Sequence, residues 1–197
     1  MSNNLFPIFL KLEKLHILIV GGGYVGMEKL EAVISNSPAT AITLVATQIS
    51  DAIKEVAKQY PNITLIEKPY DINDLMNNDI VIAAINDAVV SKQVVQDAKS
   101  KKILVNAADK PELCDFYLSS VVKKGNLKIA ISTNGKSPTI AKRVKEVLNA
   151  TLPDEIDSLL QNMQDIRNKM SGDFAEKVKQ LNEITKGLVD PEKQSKL

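Results

Sequence analysis

Gly21, Gly23 and Gly26 stand at the spacing G-x-G-x-x-G. The chemistry this spacing permits is pyrophosphate binding. The first glycine turns the chain where a side chain would clash. The second lets a phosphate approach the backbone, and the third lets a helix pack closely on a strand. Backbone N–H groups at the helix start then face the anion, helped by the helix dipole. Gly22, Tyr24 and Val25 lie on the same turn and are expected to offer backbone contacts. Glycine-rich turns also occur for structural reasons alone, so the context of this one carries the weight. Thr47 and Gln48 follow a second apolar run, where an adenosine ribose is expected. No Asp or Glu ends that run, although many dinucleotide folds use one there. Asp109 lies just past a later apolar run, where ligands meet an open parallel sheet. Its alternative reading is a turn aspartate ahead of Pro111. Asn106 either offers its amide to a ligand or ends a strand.

These groups need a scaffold to hold them, and the hydrophobic pattern supplies one. Apolar runs predict strands over 15–20, 41–46, 63–66, 80–84 and 103–105. Helical spacing predicts helices over 24–35 and 50–60, and a third from an Asn86-Asp87 cap through 98. The run 80–84 is continuously apolar, as in a strand buried on both faces. Strands alternating with helices predict a parallel α/β sheet of Rossmann-like type. Residues 4–12, punctuated by Pro7, are expected to extend along one edge of that sheet. The pattern then changes. Runs at 116–122 and 127–132 flank Lys123-Lys-Gly-Asn126 and predict a hairpin. Ser137-Pro138 fits a helix cap and first turn, opening a helix over 139–148 that Pro153 ends. Two further helical segments follow within 154–189, and the last residues are polar.

Across its 197 residues the chain is 44% hydrophobic and 25% charged, the balance of a soluble protein with one core and an added module. A net charge of +1 argues against nucleic acid as a partner. No run reaches membrane-spanning length. The single cysteine, Cys114, allows no internal disulfide and points to a reducing compartment, hence the cytoplasm. Cys114 reads as a packing residue, since no histidine is available to activate it. The single histidine, His16, leads into the first strand, so a His-rich metal site is excluded and no metal ligands are assigned.

Positive charge is concentrated locally. Between Phe116 and Lys145 there is no Asp or Glu, while Lys123, Lys124, Lys128, Lys136, Lys142, Arg143 and Lys145 fall there. One reading is a solvated face with acids opposite it in space. The other is a platform for a polyanionic small molecule.

Several stretches together resemble the precorrin-2 dehydrogenase and sirohydrochlorin ferrochelatase family, of the siroheme synthase N-terminal type. They are Leu5-Phe-Pro-Ile-Phe9; Val20-Gly-Gly-Gly-Tyr-Val25 with Lys29; Ala83-Ala-Ile-Asn-Asp87; Val105-Asn-Ala-Ala-Asp109 with Leu113-Cys-Asp-Phe116; and Ile131-Ser-Thr-Asn-Gly-Lys-Ser-Pro138 with Ala141 and Arg143. They run in the family's order from residue 4 to about 153, without a methyltransferase half, as in the stand-alone form. The sequence departs from the family's pattern at Gly26, where alanine is usual, and at Glu28 and Ser119. It departs again at Asn134, which replaces the first glycine of a Gly-Gly pair.

The resemblance implies an NAD-binding domain over 1–112, a dimerisation and substrate module over 113–150, and a C-terminal helical domain over 151–197. It implies a homodimer that oxidises precorrin-2 to sirohydrochlorin with NAD, ferrous iron being a further substrate in members that also make siroheme. Asp109 falls where the family has its catalytic aspartate. Gly21, Gly22, Gly23, Tyr24, Val25, Thr47, Gln48, Ala84 and Asn106 fall on the cofactor side. Ser132, Thr133, Lys136, Ser137 and Arg143 fall on the side of the tetrapyrrole carboxylates. A nucleotide-sensing regulatory module with a basic, partner-binding hairpin is the alternative, and it has no need of Asp109.

Overall fold

The computed structural model describes residues 3–171 and 173–186. The chain divides into two compact units. The first runs through Leu118 and includes Asn134–Lys136. The second comprises Ser119–Thr133 and the described residues from Ser137 onward.

The first unit is a five-stranded parallel sheet in the order β3-β2-β1-β4-β5. The strands are β1 (His16–Val20), β2 (Ala41–Ala46), β3 (Ile63–Glu67), β4 (Ile80–Ala83) and β5 (Leu104–Ala107). The central strands are buried on both faces, which is why β1 and β4 read as unbroken apolar runs. Side chains alternate between faces. Ile17, Ile19, Ile42, Leu44, Ile80 and Ile82 pack with Leu30, Val33 and Ile34 of α1 (Tyr24–Asn36) and Ile53 of α2 (Asp51–Ala57). Leu18, Val20, Val45, Val81 and Val105 pack with Val94, Val95 and Ala98 of α3 (Ala88–Ser100). Leu30 is fully buried, and truncating such a leucine to alanine costs about 2–5 kcal/mol. No helix among the described residues is long and apolar enough to cross a membrane.

Helix starts follow the expected chemistry. The Asp87 carboxylate caps α3, accepting from Val89 N at 2.8 Å and Val90 N at 3.1 Å. The segment before β1 differs from its expectation. Phe6, Ile8 and Phe9 are 85%, 58% and 67% exposed, so this stretch does not cover a sheet edge with its apolar side chains.

The second unit opens with an antiparallel hairpin of β6 (Ser120–Lys124) and β7 (Leu127–Ile131). Its first strand starts at Ser120, so Phe116–Leu118 belongs to the first unit instead. Gly125 turns the hairpin at φ +54°. The Asp157 carboxylate accepts from the next N–H, that of Asn126, at 2.7 Å. The helix α4 (Pro138–Thr151) packs on the hairpin, burying Ala141 and Val122. Ser137 caps it, Oγ accepting from Ile140 N at 3.2 Å. The helices α5 (Ile156–Lys169) and α6 (Phe174–Thr185) pack together. The helical reading over 187–189 and the reading of the polar end lie outside the described residues.

Candidate active site

In an open parallel sheet of this order, a ligand meets the strand ends where the winding reverses, between β1 and β4. Gly21 occupies that point. It has φ +129°, and a Cβ there would lie 2.1 Å from the Ala84 carbonyl oxygen. Ala84 is held in place by its N–H donating to Val20 O at 2.8 Å, and Gly21 N donates to Val45 O at 2.9 Å. Gly22 is equally confined. A Cβ on it would lie 2.3 Å from the Gln48 carbonyl oxygen, and Ser50 N donates to Gly22 O at 2.9 Å. The β1, β2 and β4 ends therefore converge on the glycine turn, and the structure brings Gly21, Gly22, Ala84 and Gln48 together.

Gly23 is the exception. It is exposed, and a Cβ on it would meet nothing within 4 Å. It stands at the N-cap of α1 without any side-chain cap, and the first turn of that helix carries no acid. Bare N–H groups beneath open space form a cradle suited to a diphosphate. Tyr24 is 85% exposed and Val25 is half-buried at the start of the helix. The third glycine fits tightly too. A Cβ on Gly26 would lie 2.1 Å from Gly21 O, so this chain packs α1 closer to the turn than an alanine permits. The residues present fit a dinucleotide.

Asp109 sits on the same end of the sheet. Ala108 N donates to Ala83 O at 2.9 Å, which ties the turn after β5 to the end of β4, one residue before Ala84. Asp109 is exposed, and its φ is +58°. Aspartate tolerates this left-handed region better than most residues. The Lys110 Nζ is buried without a hydrogen-bond partner among the described residues. A loop lysine is ordinarily solvated, so nothing in the sequence marks it.

Asn106 lies inside β5, not at its end. Its Nδ2 donates to Phe116 O at 2.9 Å, so the amide nitrogen holds the loop back on the strand. Asp115 acts similarly, accepting from Val105 N at 3.0 Å. The Cys114 thiol donates to Ala107 O at 3.2 Å and its sulfur accepts from Ala107 N at 3.2 Å. Burial pushes this thiol above its ordinary pKa, with the carboxylates of Glu112 and Asp115 adding to the rise. That is the opposite of nucleophile activation.

The remaining candidates divide between the units. Lys136 is exposed on the Asn134–Lys136 turn, whose Gly135 lies near Pro111 and Tyr117 of the first unit. Asn134, in place of the usual glycine, adopts φ +55°. Ser132, Thr133, Ser137 and Arg143 belong to the second unit. The Thr133 hydroxyl donates to Ser137 O and accepts from Ser137 N, both at 3.1 Å. Together with the Ser137 cap, this gives both hydroxyls a structural task. Arg143 pairs with Glu146 at 2.6 Å, and Lys124 pairs with Asp154. Acids from beyond the acid-free stretch thus neutralise part of it. Lys123 and Lys128 face each other across the hairpin.

Comparison with known proteins agrees with this arrangement. Residues 8–120, more than half the chain, match the family described as "Putative NAD(P)-binding". Residues 124–150 match the family described as "Sirohaem biosynthesis protein central". The chain therefore belongs to an NAD(P)-binding family. Family relatives include a siroheme synthase of Psychrobacter sp. (strain PRwf-1), 36% identical over 176 residues, which are 89% of this chain and 34% of that protein. Another is a siroheme synthase of Pseudoalteromonas translucida, 34% identical over 168 residues, covering 85% of this chain and 35% of that protein. The chain therefore spans about a third of the length of these relatives. Among solved structures, "SirC, precorrin-2 dehydrogenase" matches with a TM-score of 0.73 and 26% identity, covering 98% of this chain and 94% of that one. The parallel sheet, hairpin and C-terminal helices described above share the fold of that structure.

Proposed function

We propose that this chain oxidises precorrin-2 to sirohydrochlorin in siroheme biosynthesis. The observation that carries this reading is the near full-length likeness to a precorrin-2 dehydrogenase, joined to a glycine cradle that fits a dinucleotide. NAD+ supplies the hydride acceptor when bound.

The residues divide the work. The N–H groups of Gly22, Gly23, Tyr24 and Val25 hold the pyrophosphate, while the bulk excluded at Gly21 keeps β4 against the turn. Thr47 and Gln48, both exposed beyond β2, take the adenosine side. Ala84 and Asn106 line the nicotinamide side, Asn106 through its amide oxygen. Losing a hydride leaves the macrocycle cationic, and a proton must then depart. Asp109 accepts it, being an exposed carboxylate on the turn tied to β4. Lys136 and Arg143 are assigned to substrate carboxylates, and Ser132, Thr133 and Ser137 to further polar contacts with the substrate. Ferrous iron insertion into sirohydrochlorin needs pyrrole protons removed, which the same carboxylate can do. The siroheme synthase relatives favour this second activity.

The chain works as a cytoplasmic homodimer. Ile140, Val144 and Val147 form an exposed apolar stripe along α4, at 55%, 39% and 63% exposure, and a stripe at that spacing calls for a partner surface. In this reading residues 1–112 bind nucleotide, 113–150 dimerise and bind substrate, and 151–197 form the helical end. The test is incubation of the purified protein with precorrin-2 and NAD+, following reduced-nicotinamide absorbance. A protein that binds nucleotide but leaves precorrin-2 unchanged is the regulatory module instead.

A further inference from the structure

Dinucleotide folds of this strand order commonly place a carboxylate at the end of β2 to accept the hydroxyls of the adenosine ribose. Here β2 ends at Ala46, and Thr47 and Gln48 follow. The neighbouring strand brings an acid to that place. Glu67, the last residue of β3, pairs in parallel register with Ala46, so both side chains lie on one face of the sheet. That face is the one the glycine turn covers, because the Ala46 Cβ lies 2.9 Å from where a Cβ on Gly22 would be. The Glu67 carboxylate is also fixed in direction. Its Oε1 accepts from Ile49 N at 3.3 Å, and the Ile49 Cα lies 2.9 Å from the same Gly22 position. The carboxylate thus reaches across the end of β2 and remains 48% exposed, with lone pairs free to accept further hydrogen bonds. Lys54 of α2 stands 3.5 Å from its other oxygen.

We propose that Glu67 is the acceptor for the adenosine ribose hydroxyls and the group that sets the site's preference for NAD+ over NADP+. The inference rests on the nucleotide reading above. A ribose diol donates to a carboxylate, whereas a 2′-phosphate has no hydroxyl hydrogen there and carries like charge. The same carboxylate holds the Lys54 ammonium, a cation that could otherwise favour a phosphate.

Calorimetric titration of the ligand-free protein with NAD+ and, separately, NADP+ tests this without any turnover. The wild-type protein is expected to bind NAD+ about tenfold or more tighter than NADP+. Glu67→Gln keeps an oxygen for Ile49 N, removes the charge and releases Lys54. It should shrink the affinity ratio by about tenfold, chiefly by strengthening NADP+ binding. Lys54→Gln breaks the ion pair without touching the carboxylate and should keep the NAD+ preference. An unchanged ratio in Glu67→Gln, a wild-type protein without preference, or a preference lost in Lys54→Gln overturns the assignment. Failure of the wild-type protein to bind either nucleotide overturns the nucleotide reading itself, a distinct result.

Discussion

The Ala84 carbonyl oxygen lies 2.1 Å from the position a Cβ on Gly21 would take, whereas the corresponding position on Gly23 is open. The two glycines therefore do different jobs within one turn. Gly21 closes the sheet end, and Gly23 leaves room above it.

Substitution should separate those jobs. Gly21→Ala forces β4 away from the turn and places alanine at a positive φ. It should destabilise the protein by about 1–3 kcal/mol or more and abolish nucleotide binding. Gly23→Ala meets no neighbour at φ −93° and should melt within a few degrees of wild type. Its affinity for NAD+ should still fall by about tenfold or more, because the methyl group enters the space a phosphate needs. Thermal melts paired with calorimetry read both effects.

Asp109 bears its carboxylate on a left-handed turn. An asparagine in its place would keep that backbone preference and lose the proton acceptor. Asp109→Asn should lower kcat/KM for precorrin-2 oxidation by about 10²–10⁴-fold while leaving NAD+ affinity and melting temperature unchanged. Full activity in this variant removes Asp109 from the chemistry.

The α4 stripe gives a test of assembly. Val147 is 63% exposed, so Val147→Glu should leave the isolated chain stable to within about 0.5 kcal/mol. In a dimer that buries the stripe, the new charge should shift sedimentation to the monomer. A variant that sediments as the wild type does places the interface elsewhere.

The Cys114 thiol is half-buried, and burial raises its pKa from 9.0. A raised folded-state pKa stabilises the protein fully below the unfolded value, and that stability fades as pH climbs above it. Urea midpoints should thus fall as pH rises above 9.0, and fall less in Cys114→Ser. Alkylation of the native protein at pH 8 should be slower than that of a free thiol, by about tenfold or more.

The sheet is legible in the sequence because its central strands are unbroken apolar runs and its turns are marked by glycine and proline. Elsewhere tertiary contacts decide. β5 extends through Asn106 and Ala107 because the Asn106 amide is satisfied by Phe116 O, and a polar residue in an apolar run otherwise reads as a strand end. Residues 116–119 look like strand but lie outside the hairpin register, which begins with Ser120 paired to Ile131. The lack of an acid after β2 is plain from the sequence, but only register connects Glu67 to that position, by setting it beside Ala46. The charge run is equally plain. Its partial neutralisation by Asp154 is not, since Asp154 is distant in sequence from Lys124 and meets it only through the fold.

The most direct test of the account is a single-turnover reaction of the purified chain with precorrin-2 and excess NAD+, quantifying sirohydrochlorin and reduced nicotinamide together. The account predicts that the two appear at one rate and in equal amounts. Bound NAD+ with precorrin-2 recovered unchanged would contradict it.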